Sequence, residues 1–296
     1  MAATVRRLRD SDRSDVIEIS SHIWEGHDYL PSVVDEWLRD PNSRFYGVEV
    51  KGRVVGVGRV RLVEYGRIGW MEGLRVHPDY RGRGFANDLT RSIIREGERL
   101  GVERLRYTTS DENRASVKLA KMAGFSRIVR MAVSWHHNIK EVSTSTDYPP
   151  IRKLGPATTC GLLETNPHIL PRGMLIYEWK ALDNTCFNVR EVGKNHSFYV
   201  ALKGGRLDSL SISPSGKEPN ESYWGFAAYA VDSSGFLGQF SHNVAIALKH
   251  GVSSVACTFE TKFEKTLDEV ELKSEEDHKT HLILLEKLMH RRKPRG

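Results

Sequence analysis

The chain has 296 residues, long enough for two domains of ordinary size. Its 39% hydrophobic and 28% charged content is that of a folded soluble protein, which sets aside disordered and fibrous classes. No apolar run approaches the ~18 to 20 residues that cross a bilayer, so no membrane partner is expected.

The opening MAATVRRLRDSD lacks the apolar core of a secretory signal. Cys160, Cys186 and Cys257 lie far apart with no zinc spacing and read as free thiols, so a cytoplasmic location is expected. The net charge of +6 raises nucleic acid as a partner. The basic residues are spread along the chain, however, and only His290 to Arg295 forms a run, so nucleic acid is not the expected partner.

In chain order, Val5 to Arg9 reads as a strand leading into a helix opened by Asp10 or Ser11, with Val16, Ile17 and Ile19 buried. Ser21 to Pro41 gathers Trp24, His27, Asp28, Tyr29 and Trp37 into one connection. There Tyr29-Leu30-Pro31 interrupts a helical pattern that resumes at Val33. Trp24 and Trp37 read as core anchors. Phe45 to Val50 and Val54 to Val63 form a hairpin about Lys51-Gly52-Arg53. Trp70 to Val76 is a short apolar strand, stopped by His77-Pro78 because proline cannot donate to a ladder.

After Arg81-Gly82-Arg83-Gly84-Phe85-Ala86 the period changes. Ala86, Leu89, Ile93, Gly97 and Leu100 recur every three or four residues, a helix closed by Gly101. Glu103 to Thr109 is the next strand, Asn113 to Ala123 a helix, and Ser126 to Trp135 a last strand.

Glu141 to Pro156 is polar, proline-bearing and aperiodic. It predicts a linker at 141–156 between a first domain (1–140) and a second (157–296). Beyond it, Phe198-Tyr199 precedes Gly205-Arg206 at the spacing that separates Phe45-Tyr46 from Gly52-Arg53. Gly225 to Asp232 reads as a strand, and Gly238 to His250 as a helix with Phe240, Val244, Ala247 and Leu248 inward. Gly251-Val252 then opens a strand as Gly101-Val102 does. Asp277 to Lys293 predicts a basic amphipathic helix, ordinarily a solvated face.

The glycine-rich turn has a physical meaning. The first amides of a helix lack intrahelical acceptors and sit at the positive end of its dipole. Without side chains at Gly82 and Gly84 a pyrophosphate can approach them, and Arg81 and Arg83 add charge at the rim. An ordinary strand–helix connection with solvated arginines is the plain alternative. The sequence has neither a Gly-x4-Gly-Lys-[Ser/Thr] loop nor a Gly-x-Gly-x-x-Gly fingerprint.

Arg81-x-x-Gly84-x-Ala86 resembles the signature of the GCN5-related N-acetyltransferases (GNAT). Glu72-x-Leu74-x-Val76-x-Pro78 before it and Asn113-x-x-Ser116-x-x-Leu119 with Gly124-Phe125 after it extend the likeness over roughly the first 135 residues. Asp28-Tyr29-Leu30-Pro31, Trp37-Leu38-x-Asp40-Pro41 and Glu72 to Val76 resemble, more narrowly, the vertebrate histidine N-acetyltransferase group.

The resemblance implies an α+β fold, a mixed and mostly antiparallel sheet with flanking helices. A second, degenerate domain of the same kind would follow, because Ser233 to Gly238 lacks the signature's arginine. It implies acetyl-CoA as donor and a small-molecule primary amine, a free amino acid first, as acceptor. Protein N-termini or lysines, or a catalytically silent coenzyme-A-binding sensor, are the rivals. Leu74, Arg75, Val76, Arg81, Gly82, Arg83, Gly84, Phe85, Ala86, Asn113 and Ser116 would hold the cofactor, and His27, Asp28 and Tyr29 the acceptor.

Glu72 is the candidate base, since a carboxylate in an apolar strand is costly unless solvated or used. Strict alternation would set it on the face of Leu74 and Val76, so a bulge near Gly73 is required. The tyrosine that usually follows Leu119 in this family is replaced by Ala120, so that the thiolate leaves unaided or is protonated by water, Tyr107 or His77. Asn113 and Asp111 equally suit helix capping. His136-His137 and His278-x-x-His281 lack metal-ligand partners in sequence, and no metal is expected.

Overall fold

The structure is a computed structural model and describes residues 3–23, 26–139, 148–216, 222–270 and 277–289. It divides into two compact units. The first comprises Met1–Tyr107, Arg114–Ser126 and Leu285–Gly296, and the second Thr108–Asn113 and Arg127–Leu284.

In the first unit, β1 (Ala3–Arg7), α1 (Arg13–Ser21), α2 (Leu30–Arg39), β2 (Ser43–Val50), β3 (Arg53–Val63) and β4 (Ile68–Val76) follow in turn. After them come α3 (Phe85–Leu100), β5 (Arg104–Ser110), α4 (Arg114–Met122) and β6 (Ser126–His136), which leaves the unit after its first residue. Strands β1 to β4 pair antiparallel in sequence order. β4 and β5 run parallel because α3 crosses between them. That register runs from Ile68 opposite Arg104 to Trp70 opposite Arg106, and β4 continues past it to Val76.

Residues 285–288 complete the sheet beside β5, where the Glu286 carboxylate accepts from Arg106 Nε at 2.6 Å. Two apolar layers flank the sheet. Val16, Ile19, Leu30, Val34 and Trp37 pack with Phe45 and Val57 on one side. Phe85 and Leu89 of α3 pack with Val48 and Val55, and Leu74 and Val76 join them, on the other. Pro31, which interrupts the helical pattern of the sequence, stands in the first turn of α2, where its missing N–H costs nothing. Trp24 lies outside the described residues, whereas Trp37 is buried as expected.

The second unit continues with β7 (Ile151–Leu154), α5 (Pro156–Thr165), the hairpin β8 (Met174–Tyr177) and β9 (Lys180–Asp183), and α6 (Cys186–Val192). β10 (His196–Lys203), β11 (Arg206–Pro214), β12 (Trp224–Ala230), α7 (Ser233–Lys249), β13 (Val255–Glu260), α8 (Glu264–Asp268) and β14 (His278–Leu288) complete it. β7, β10, β11 and β12 pair antiparallel in that order, and β12 runs parallel to β13 across α7, as β4 does to β5 across α3. β6 pairs antiparallel with β13. The core packs Phe236, Phe240, Val244 and Ala247 of α7 onto Trp224, Phe226, Cys257 and Phe259.

Three expectations are corrected here. Residues 278–288 form a strand, not a helix: Leu282, Ile283, Leu284 and Leu285 are buried in succession, which a one-sided helical stripe cannot be. His290 to Arg295 lie outside the described residues. Part of the expected linker is structured, since residues 151–154 form β7 and Pro156 opens α5; residues 140–147 lie outside the described residues. Cys160 and Cys186 are joined in a disulfide with Cα atoms 5.3 Å apart, so only Cys257 is a free, buried thiol. The inference of a cytoplasmic location from free thiols falls with it. No helix among the described residues is long and apolar enough to cross a membrane.

Candidate functional site

β4 carries the candidate base Glu72, and an irregularity at its centre decides where each side chain goes. Opposite β3, Val57 pairs with Arg75 but Arg59 pairs with Glu72, so Gly73 and Leu74 together face Gly58. This is a β-bulge, and Gly73 adopts φ +68°, a left-handed conformation suited to glycine. A Cβ on Gly73 would also lie 2.6 Å from the Trp37 ring, so glycine is required twice over.

The bulge resets the alternation. Leu74 packs with α3, whereas Glu72 turns to the layer of α2. There its carboxylate accepts from Arg59 Nη1 at 3.1 Å and lies 3.8 Å from Arg61 Nε. The Glu72 side chain stays 22% exposed, open enough to meet a substrate.

Arg59 was invisible to sequence reasoning. It is 2% exposed, one of the largest fully buried side chains. Its Nε donates to Ser43 Oγ at 2.7 Å, its Nη2 pairs with Asp40, and its guanidinium lies 4.3 Å from the Trp37 ring centroid. Burial lowers the pKa of Arg59, and Glu72 and Asp40 act against that by favouring the charged form. The partners sit on β2, β3, β4 and at the end of α2, far apart in sequence. Only the fold assembles them.

A second ion pair borders the first. The Arg75 guanidinium donates twice to Asp28, at 3.1 and 3.2 Å, and the Asp28 carboxylate is completely enclosed. Tyr29 lies partly exposed with its ring 5.5 Å from that guanidinium. Asp28 and Tyr29 thus do adjoin Arg75, but Asp28 is committed to it, a fork-to-fork pair that sequence alone does not suggest. His27 is exposed, and no hydrogen bond ties it to this cluster among the described residues.

Past Val76, His77 Nδ1 accepts from the Asp79 amide at 3.3 Å and opens the turn. Gly82 and Gly84 have φ of +74° and +87°, and a Cβ at either would meet no atom within 4 Å. Gly84 is the N-cap of α3, and no side chain caps that helix. Arg81 and Arg83 donate to the Val76 and Asp79 carbonyls, so both are fixed along the rim. Phe85 is buried and anchors the helix start, with Ala86 beside it. Open amides, absent side chains and fixed cations fit the diphosphate of acetyl-CoA.

On α4, Ser116 accepts through its carbonyl from the Tyr107 hydroxyl at 3.3 Å, and burial raises the Tyr107 pKa. Asn113 precedes that helix, and its amide donates to the Ser110 carbonyl at 3.1 Å. Ala120, where a family tyrosine would stand, is buried.

A profile of the acetyltransferase (GNAT) family matches residues 8–125. The chain is 37% identical over 100 residues to probable N-acetyltransferase 16 of Homo sapiens, covering 33% of this chain and 27% of that protein. It is 36% identical over 86 residues to histidine N-acetyltransferase of Xenopus tropicalis, covering 29% and 26%. The match therefore spans about a quarter of each relative's own length. In fold, the chain aligns over 97% of its length with 98% of a tandem GNAT protein from the clavulanic acid biosynthesis pathway, at TM-score 0.60 and 16% identity.

Proposed function

We propose that this chain, whose residues 8–125 belong to the GNAT acetyltransferase family, is an acetyl-CoA-dependent N-acetyltransferase. Its acceptor is the primary amine of a small molecule, a free amino acid such as histidine first. The observation that carries this reading is the bulge at Gly73, which turns Glu72 out of the α3 layer to stand partly exposed beside Arg59 and Arg61.

An amine must lose a proton before it can attack, and Glu72 would take it, directly or through water. Arg59 orients Glu72, so that the base is positioned before substrate arrives. Acetyl-CoA would supply the acetyl thioester. The backbone of Leu74, Arg75 and Val76, where β4 continues past its register with β5, would align its pantetheine arm as an added strand. An amide of that segment would meet negative charge on the carbonyl oxygen. Arg81 to Ala86 would cradle the diphosphate, with Ser116 near the phosphates and Asn113 along the arm. With Ala120 in place of the tyrosine, the sulfur would leave as the thiolate or take a proton from water, Tyr107 or His77, and Glu72 would pass the amine's proton to solvent.

The second unit repeats the order of strand, helix and parallel strand but not the open glycine turn, and we read it as a degenerate half that does not bind acetyl-CoA. The name of the Xenopus relative supports an amino-acid acceptor.

The test is release of coenzyme A thiol from acetyl-CoA over a panel of amino acids, polyamines and peptides. Acceleration by amino acids is expected. Acetyl-CoA binding with no turnover over any amine would overturn the enzyme reading in favour of a sensor. Glu72→Gln should lower kcat about 100-fold or more while leaving acetyl-CoA affinity nearly intact; unchanged turnover would remove Glu72 as the base.

A further inference from the structure

We propose that Arg61 recognises the α-carboxylate of the acceptor, which makes the substrate class the free α-amino acid and not an amine without that group. This rests on the acetyltransferase reading above.

Arg59 and Arg61 border Glu72, Arg75 lies three residues along β4, and two of the three are committed. Arg59 is buried against Asp40, Ser43, Glu72 and the Trp37 ring. Arg75 is held by both oxygens of the enclosed Asp28 carboxylate. Arg61 differs. It stands two residues beyond Arg59 on β3, opposite Trp70, and so shares the face of Arg59. Its side chain is 40% exposed, yet its Nε is buried and makes no hydrogen bond. The Glu72 carboxylate lies 3.8 Å from that nitrogen, near enough for attraction and too far for a hydrogen bond.

A ligand oxygen cannot reach the enclosed Nε and would be met by the outer guanidinium nitrogens of this partly exposed side chain. The guanidinium offers a planar fork suited to a carboxylate. Glu72 and Arg61 therefore present an anion and a cation side by side. A free α-amino acid presents the complementary pair, an ammonium and a carboxylate separated by one carbon. A polyamine, a peptide N-terminus or a protein lysine has no carboxylate next to its amine, and would leave Arg61 unanswered.

The experiment compares kcat/KM by thiol release for the standard amino acids and, for the best of them, its amide and its decarboxylated amine. The acid should exceed both analogues roughly 10- to 100-fold, chiefly through KM, the range expected for a hydrogen bond to a charged group. Arg61→Met should collapse that ratio toward one, and Arg61→Lys, which keeps the charge but not the fork, should restore part of it. The wild-type comparison stands even where a variant fails to fold.

Equal rates for acid and analogues would overturn the proposal, as would a ratio that survives Arg61→Met. Turnover of polyamines or peptides alone would overturn it while leaving the acetyltransferase reading in place. No turnover with any amine would overturn that reading itself.

Discussion

Helices α3 and α7 each follow a strand and precede a parallel one, yet their first turns are finished in opposite ways. α3 begins at Gly84 in a left-handed conformation, no side chain caps it, and the space above Gly82 and Gly84 is open. α7 begins at Asp232, whose carboxylate accepts from the Gly235 amide at 2.9 Å. Asp208 closes in as well, since a Cβ on Gly235 would lie 2.7 Å from its Oδ2. One turn further, a Cβ on Gly238 would meet the Tyr148 ring at 2.7 Å. The first amides of α3 have no side-chain cap, whereas the Gly235 amide of α7 is answered by Asp232. One topology thus supports both outcomes, and a few side chains at the helix start choose between them.

That contrast can be broken at matched positions. Gly84→Val adds a branched side chain where φ is +87° and covers the open amides. It should weaken acetyl-CoA binding about 100-fold or more by calorimetric titration. Gly235→Val should leave that affinity in place and instead lower the melting temperature, because its side chain would collide with Asp208. Equal losses of affinity at the two sites would erase the distinction.

A smaller effect is expected from Asp232→Ala, which removes the cap of α7 and should cost about 1 kcal/mol, a few degrees in Tm. Titration should still give one acetyl-CoA per chain. A second bound molecule would show that the cap alone was closing the second half.

The smallest effect concerns Asp208. Burial, and then the nearby Asp232 charge, raise its pKa above the ordinary carboxylate value. The native state thus holds that proton more tightly than the unfolded chain does. Its contribution to stability is full below the ordinary carboxylate range and is lost as pH rises through the raised value. Asp208→Asn should therefore melt slightly above wild type at neutral pH. The gap should close as pH falls below the carboxylate range, and a pH-independent gap would contradict the sign.

Much of the first unit was legible because its signals are local. The stop at His77-Pro78, the glycine turn, the stripe of α3 and its glycine cap lie within one stretch and map directly onto structure. Even the bulge was foreseeable, since Glu72 in an apolar strand conflicts with alternation and Gly73 offers the release. The pocket around Glu72 was not legible in the same way. Arg59, Asp40, Ser43 and Trp37 meet only once sheet and helices have packed, and Asp28 is 47 residues from Arg75. β14 was misread because a short apolar run fits helix or strand equally, and only burial on both faces decides between them. The cysteine pair escaped for a related reason. A separation of 26 residues carries no pairing information until α5 and α6 stand together.

The pairing of Arg106 with Glu286, residues 180 apart, also sets an order of events during synthesis. A ribosome must extend the chain past residue 285 before β5 can acquire the neighbour that completes the first sheet. Until then β5 presents an open edge, the kind of surface that recruits strands from other chains. Closing so long a loop is slow compared with forming the helices, so the first unit matures late although most of it is translated early. A chain cut short before that residue would yield a sticky fragment and not a smaller folded unit.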